Sequence, residues 1–225
     1  MPYLYVVRHG QPDFTGNYDS LTALGLQQSS WLGEHFRVCG LQFSRAVSGT
    51  LRRQIDTCDA ILRQFDMPPP MRLRDAGLDE YDHASLLHFF EGDHVQALRA
   101  AGDRRGYFMA IGHALQAWAA HEGTLAGGET WAQFGARIKA AIARACDGLE
   151  RDEKVLIVTS GGVIGRCVAS VLEAGAATAI QLNLQTRNTG VTELVRPGGS
   201  TARLVTFNGV PHLERPDRAG AVTYS

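Results

Sequence analysis

Three short apolar runs mark the chain: YLYVV at Tyr3–Val7, RAVS at Arg45–Ser48 and KVLIVT at Lys154–Thr159. Each is nearly continuous rather than alternating, the pattern of a strand covered on both faces of a parallel sheet. Helical spacings lie between them. Leu51, Ile55, Cys58, Leu62 and Phe65 step by four, three, four and three, which draws one apolar stripe along a helix. Trp131, Phe134, Ile138, Ile142, Ala145 and Leu149 repeat that signal, and Leu24, Trp31, Leu32 and His35 share a face of an earlier helix. Alternation of strand and helix argues for an α/β layered fold. Towards the C-terminus the pattern changes. NTGVTELV and ARLVTFN flank RPGGST and read as two antiparallel strands around a Gly-rich turn. Residues 81–128 also stand apart, with helical spacings (Leu86, Phe89 and Phe90; Phe108, Ile111, Leu115 and Trp118) broken by EGD, AGDRRG and EGTLAGG. We read them as helices inserted into the α/β frame of a single domain spanning 1–225.

Composition narrows the classes. The 225 residues are 44% hydrophobic and 20% charged, enough for a real core. Lys and Arg number 22 against 23 Asp and Glu, a net charge of −1. Nothing therefore draws the chain towards nucleic acid or membrane. MPYLYVVRHG lacks the cationic and apolar regions of a secretory signal, and no apolar run reaches the roughly 18 residues of a membrane span. Cys39, Cys58, Cys146 and Cys167 form no C-x-x-C pair, so we expect reduced, structural thiols in a cytoplasmic protein. No His, Asp or Glu cluster falls at ligand spacing, so neither a metal nor a cofactor is expected.

Two strand ends carry candidate chemistry. Tyr3–Val7 runs into RHGQ, and KVLIV runs into TSGG and then VIGRCVASVLE. Strand ends in a parallel sheet gather sites, and a glycine turn opening a helix presents unsatisfied backbone N–H groups to an anion. Arg8 offers a fork of donors suited to phosphate, and a neutral His9 is a nucleophile. Alone, the Arg-His pair is more simply a strand end with a surface cation. The rest of the chain changes that. LTALGLQQS (Leu21–Ser29), SGTLRRQIDTC (Ser48–Cys58), LDEY (Leu78–Tyr81), GETW (Gly128–Trp131) and TSGG follow in order.

This ordered set resembles the histidine phosphatase superfamily, also called the phosphoglycerate mutase-like family. The resemblance covers most of the chain apart from the inserted helices. It implies a three-layer α/β/α sandwich with a mostly parallel central sheet. His9 matches the family's nucleophile and Arg8 a phosphate-binding arginine. The family's second arginine falls two after the leucine and four before the threonine, which fits Leu51, Arg53 and Thr57, so Arg52 is left to face solvent. The leaving-group acid is sought in LRDAGLDEYDH, where Glu80 fits the family's L-x-E and Asp75, Asp79 and Asp82 read as a solvated loop. Gln11, Thr15 and the backbone of Gly161 are weaker candidates for phosphate contact.

One position departs from the pattern: Ser160 stands where the family places its second histidine. Serine supplies a hydrogen bond but no charge. Three readings follow: an active phosphatase with a serine variant site; a site whose gap is filled by His83 or His113 from the insert; and a degenerate member that binds phosphorylated ligands without turnover. Retention of Arg8, His9, Arg53 and Glu80 together favours the first. RHGQPDF departs from the family's mutases, which makes a mutase the lesser alternative. His212 and Asn188 read as structural ties near the last strands. The expected partner is a small-molecule phosphate ester, with no nucleic acid and no membrane; a homodimer is left open.

Overall fold

The computed structural model describes residues 1–14, 16–66, 71–91, 98, 103–121, 128–196 and 202–224. A six-stranded sheet forms the middle layer: β1 (Tyr3–Arg8), β2 (Arg45–Ser48), β3 (Met71–Arg74), β4 (Lys154–Thr159), β5 (Val191–Val195) and β6 (Arg203–Gly209). Their order across the sheet is β3-β2-β4-β1-β5-β6. β3, β2, β4 and β1 pair in parallel, whereas β5 runs antiparallel to both β1 and β6.

The apolar runs divide by alternation between the two faces. Leu4, Val6, Val155 and Ile157 enter one core and Tyr5, Val7, Leu156 and Val158 the other. Every one of these eight is buried, and full burial of each such aliphatic side chain is worth about 1.5–3 kcal/mol. Helices α1 (Ala23–Val38) and α2 (Arg52–Leu62) cover the second face through Leu32, Phe36, Cys58, Ile61 and Leu62. The first face is covered by α5 (Trp131–Cys146) and α6 (Gly161–Val171), joined by α7 (Ala176–Gln185). The three-layer sandwich with its mostly parallel sheet is thus present as expected.

The insert supplies α3 (His83–Glu91) and α4 (Arg104–Ala120). It extends the first core: Leu86, Leu115 and Trp118 pack with Tyr81, Phe134 and Ile138. Trp118 lies 5.5 Å from Phe134 and 5.2 Å from Trp131 between ring centroids. Of the anticipated breaks, residues 92–93, 101–102 and 122–127 lie outside the described residues, as do most of the RPGGST turn, Thr15 and Arg99.

Two features depart from the sequence reading. MRLR forms β3, an edge strand exposed along its length, so its charges needed no burial and hid it. Helix α1 buries Gly25, Gln28, Ser29, Leu32, Gly33 and Phe36, while Leu24 and Trp31 turn sideways onto a small cluster of Val210, Leu213 and Ala221. The chain's last segment therefore replaces the sheet as the partner of that side of α1. Among the described residues no helix is long and apolar enough to cross a membrane.

Candidate active site

Arg8 ends β1 opposite Thr159, the last residue of β4. The His9 N–H then donates to the Thr159 carbonyl at 2.9 Å. The register carries His9 and Ser160 out of the sheet side by side. Neighbouring strand β2 ends at Ser48 beside Val158, so three parallel strands open onto one crevice, the usual position for a site in such a sheet.

The turn after β1 is built by close approach. A Cβ on Gly10 would lie 2.3 Å from the Gly25 carbonyl oxygen, and one on Gly25 would lie 2.2 Å from that of Gln11. Only two facing glycines let the turn sit on α1. Thr57 Oγ1 accepts from the Gly10 N–H at 2.9 Å and donates to the Arg53 carbonyl. Thr22 caps α1 by accepting from the Gly25 N–H, and Gln28 Oε1 accepts from the Gln11 N–H. The glycine, threonine and glutamine positions of the sequence pattern are thus scaffold for a few chemical residues.

His9 is 1% exposed. Its Nδ1 lies 2.8 Å from the Gly10 carbonyl oxygen, and Arg53 Nε lies 3.2 Å from its Nε2. A carbonyl only accepts and a guanidinium only donates, so Nδ1 carries the proton and Nε2 presents its lone pair. Burial, and then the charges of Arg53 and Arg8, hold the imidazole's pKa well below its ordinary value, against the Gly10 hydrogen bond. The ring is therefore neutral at pH 7, as a nitrogen nucleophile requires.

Both arginines are 5% exposed. Arg8 Nη1 donates to the Thr186 carbonyl, and its Nε has no partner among the described residues. Burial lowers its pKa. Arg53 Nη1 pairs with Asp19 Oδ1 at 2.9 Å, and its guanidinium lies over the Tyr18 ring, 5.1 Å from the centroid. Asp19 also accepts from the backbone N–H groups of Arg52 and Arg53, closing the α2 N-terminus that Leu51 leaves uncapped.

Glu80 is partly exposed as a residue, but its carboxyl group lies deep among neighbouring atoms. Oε2 accepts from the Gly162 N–H at 2.9 Å and Oε1 from the Tyr81 N–H at 3.2 Å. A Cβ on Gly162 would lie 2.3 Å from Glu80 Oε1. Burial pushes the carboxyl's pKa up, opposed by the Gly162 hydrogen bond and by the two arginines. Its loop is held from behind. Arg137 pairs with both oxygens of Glu129 at 2.7 Å, and its Nη1 donates to the carbonyls of Gly77 and Asp79. Thr130 and Gln133 form a capping box at the start of α5.

The glycine turn differs in detail from expectation. Its second glycine gives its N–H to Glu80, and the first packs against Asn183 and Thr186, which stand 2.6 and 2.7 Å from a Cβ built there. Ser160 is 1% exposed, and its Oγ accepts from Gln54 Nε2 at 2.8 Å.

The structure brings Arg8, His9 and Arg53 together, with the Glu80 carboxyl close enough to act on both arginines. Gln11 is held elsewhere, its Oε1 accepting from Thr22 at the α1 N-cap. Arg52 is exposed and pairs with Asp56. The other three acids of the loop have structural partners: Asp75 binds Arg144, Asp79 binds Thr50 and Asp82 caps α3. His83 stands at the rim, 4.4 Å from the Tyr81 ring and 5.9 Å from that of Tyr18. His113 is exposed on α4. His212 Nε2 lies 2.8 Å from Thr189 Oγ1, and Asn188 Nδ2 donates to the His9 carbonyl. Sequence reasoning missed Gln54, Asp19 and Arg137, whose polar side chains in helices or loops are indistinguishable from solvated surface until the backbone closes over them.

Two buried guanidiniums, a neutral imidazole and a carboxyl whose pKa burial raises meet at the strand ends. Such a group of side chains can hold a phosphoryl group and offer it a nucleophile. The histidine phosphatase superfamily (branch 1) matches residues 4–209, and the chain belongs to that family. The 2,3-bisphosphoglycerate-dependent phosphoglycerate mutases of Brucella ovis and Brucella canis are each 34% identical over 90 residues. That stretch covers 37% of this chain and only 44% of those relatives. Among solved structures, YhfR of Bacillus stearothermophilus superposes with a TM-score of 0.72 at 21% identity, covering 95% of this chain and 100% of that one. A phosphoserine phosphatase mutant of Entamoeba histolytica, bound to phosphoserine, gives 0.67 at 21%, with the same coverage. Mycobacterial glucosyl-3-phosphoglycerate phosphatase gives 0.62 at 23%, covering 92% of this chain and 98% of that one. At these identities the likeness is one of fold.

Proposed function

We propose that the protein is a phosphomonoesterase acting on a small-molecule ester, working without metal or cofactor through a phosphohistidine on His9. The ester phosphate lies between Arg8 and Arg53, with the Ser160 hydroxyl and the Gly161 N–H as further donors. His9 Nε2 attacks phosphorus in line, the P–O ester bond breaks, and Glu80 gives its proton to the departing oxygen. Glu80, now a carboxylate, takes a proton from water as that water attacks phosphorus and the P–N bond breaks. The arginines stabilise charge on the equatorial oxygens at both steps.

The observation that carries this reading is the His9 tautomer. A lone pair on Nε2, held neutral beside two guanidiniums, is what a nucleophile needs and what a purely structural histidine does not. The test is hydrolysis of an aryl phosphate by the wild type and by His9→Ala, with acid-labile phosphate trapped on the protein. Turnover lost in His9→Ala, with trapped phosphate in the wild type, supports the reading. Phosphate binding without turnover or trapped phosphohistidine overturns it in favour of a non-catalytic binder, the reading that Ser160 favours. The mutase matches favour a phosphotransferase instead. Transfer to a phosphoglycerate faster than to water would establish that alternative.

A further inference from the structure

Gln54 is fully buried, directly after Arg53 on α2. Its Nε2 donates twice, to the Leu78 carbonyl at 3.2 Å and to Ser160 Oγ at 2.8 Å. The Leu78 carbonyl, which also accepts from Thr159 Oγ1 at 2.6 Å, fixes which end of the amide carries nitrogen. The reversed amide would set two acceptors against each other. The other end, Oε1, is buried without a partner among the described residues. A buried unpaired acceptor opposes folding, so the amide is held in place against a local penalty.

The consequence falls on Ser160. An amide nitrogen donates and does not accept, so the Ser160 hydroxyl cannot turn its proton towards Gln54. The Gln54 bond occupies one oxygen lone pair and leaves the O–H to point elsewhere. Among the described residues Ser160 Oγ donates no hydrogen bond. The register of β1 and β4 sets Ser160 beside His9 at the crevice. We propose that Gln54 is a positioning residue: it fixes the Ser160 hydroxyl as a one-way donor aimed at a bound phosphoryl oxygen. This rests on the reading of the site as one that handles phosphoryl groups.

A double-mutant cycle tests this. Ser160→Ala, Gln54→Met and the double variant are compared with the wild type by calorimetric titration with inorganic phosphate and by kcat/KM on an aryl phosphate. Methionine keeps the length and unbranched shape of glutamine without its donor. Ser160→Ala is expected to weaken phosphate about 10-fold and Gln54→Met about 3- to 10-fold. The double variant should match Ser160→Ala within a factor of two, because the effect of Gln54 runs through Ser160. Multiplying losses, or a Gln54→Met that binds phosphate like the wild type, would overturn the assignment. Thermal melts of all four proteins identify a variant that fails through folding, and Gln54→Leu then takes its place in the cycle. If the wild type binds phosphate but turns nothing over, the phosphatase reading fails and the titration cycle still decides the role of Gln54. If it binds no phosphate, both fail.

Discussion

Replacing Gly162 with alanine isolates the acid from the rest of the site. The new Cβ would stand 2.3 Å from Glu80 Oε1 and 2.6 Å from Tyr81 Cε1, so the carboxyl must move and its bond to the Gly162 N–H is lost. A hydrogen bond to a charged group is worth about 1.5–3 kcal/mol. Its loss removes a contact that favours the carboxylate, so the Glu80 pKa rises further. Misplacing the acid forfeits proton transfer, worth about 10²–10⁴ in rate. The size of the loss depends on the leaving group. A nitrophenolate departs without a proton and an alkoxide does not. For Gly162→Ala, kcat/KM on an alkyl phosphate should fall about 100-fold or more, while that on nitrophenyl phosphate falls less than about 5-fold. What alkyl activity remains should extend to higher pH. Alanine is the better helix former by about 1 kcal/mol, so helix propensity works against any loss. Gly175→Ala serves as control, since nothing lies within 4 Å of a Cβ there. Equal losses on the two esters, or none on either, would refute the role given to Glu80 and to its glycine.

Three further outcomes follow from particular contacts. Asp19→Asn keeps a cap on α2 but removes the charge that holds Arg53 Nη1; titration should show inorganic phosphate binding about 2- to 5-fold tighter, and weaker binding would mean that Asp19 positions the arginine rather than competing for it. Ser160→His should lower aryl phosphatase kcat/KM on its own, because Gln54 Nε2 stands 2.8 Å from Ser160 Oγ, and adding Gln54→Ala should restore it; a single variant as active as the double would show that the space was open. The third concerns acid stability. Burial, then the charges of His35 and Arg218, bring the His212 pKa down to about 3, against about 6.5 in an unfolded chain. The unfolded state binds the proton first, so stability is complete above about pH 6.5 and is lost as pH falls towards 3, by about 1.4 kcal/mol per unit. His212→Gln keeps a donor for Thr189 Oγ1 and should lose less Tm than the wild type between pH 7 and 4.5; parallel losses would contradict this.

Strands β1, β2 and β4 were legible because burial on both faces leaves a continuous apolar run, and α2 and α5 because one face alone is buried. β3 was not, since an exposed edge imposes no pattern on MRLR. In the site, Arg8, His9, Arg53 and Glu80 were legible through their ordered neighbours. Those neighbours mostly scaffold: Gly10 against Gly25, Thr57 on the Gly10 N–H, Gln28 on the Gln11 N–H. The contacts that set protonation and direction, such as Asp19 on Arg53 and Gln54 on Ser160, join residues 34 and 106 positions apart. No local spacing encodes them.

The central place of β1 has a consequence for the order in which the protein can assemble. The strand bearing Arg8 precedes both of its neighbours, Lys154–Thr159 and Val191–Val195, by well over a hundred residues. Its turn is further held by Asn188, which Thr223 secures in turn. During synthesis β1 must therefore wait, apolar and without these two partners, until they have been made. Closing such distant pairings is the slow part of folding. The assembled site arrives last, and a chain interrupted before β5 would carry Arg8, His9, Arg53, Glu80 and Ser160 without the strand that completes their frame.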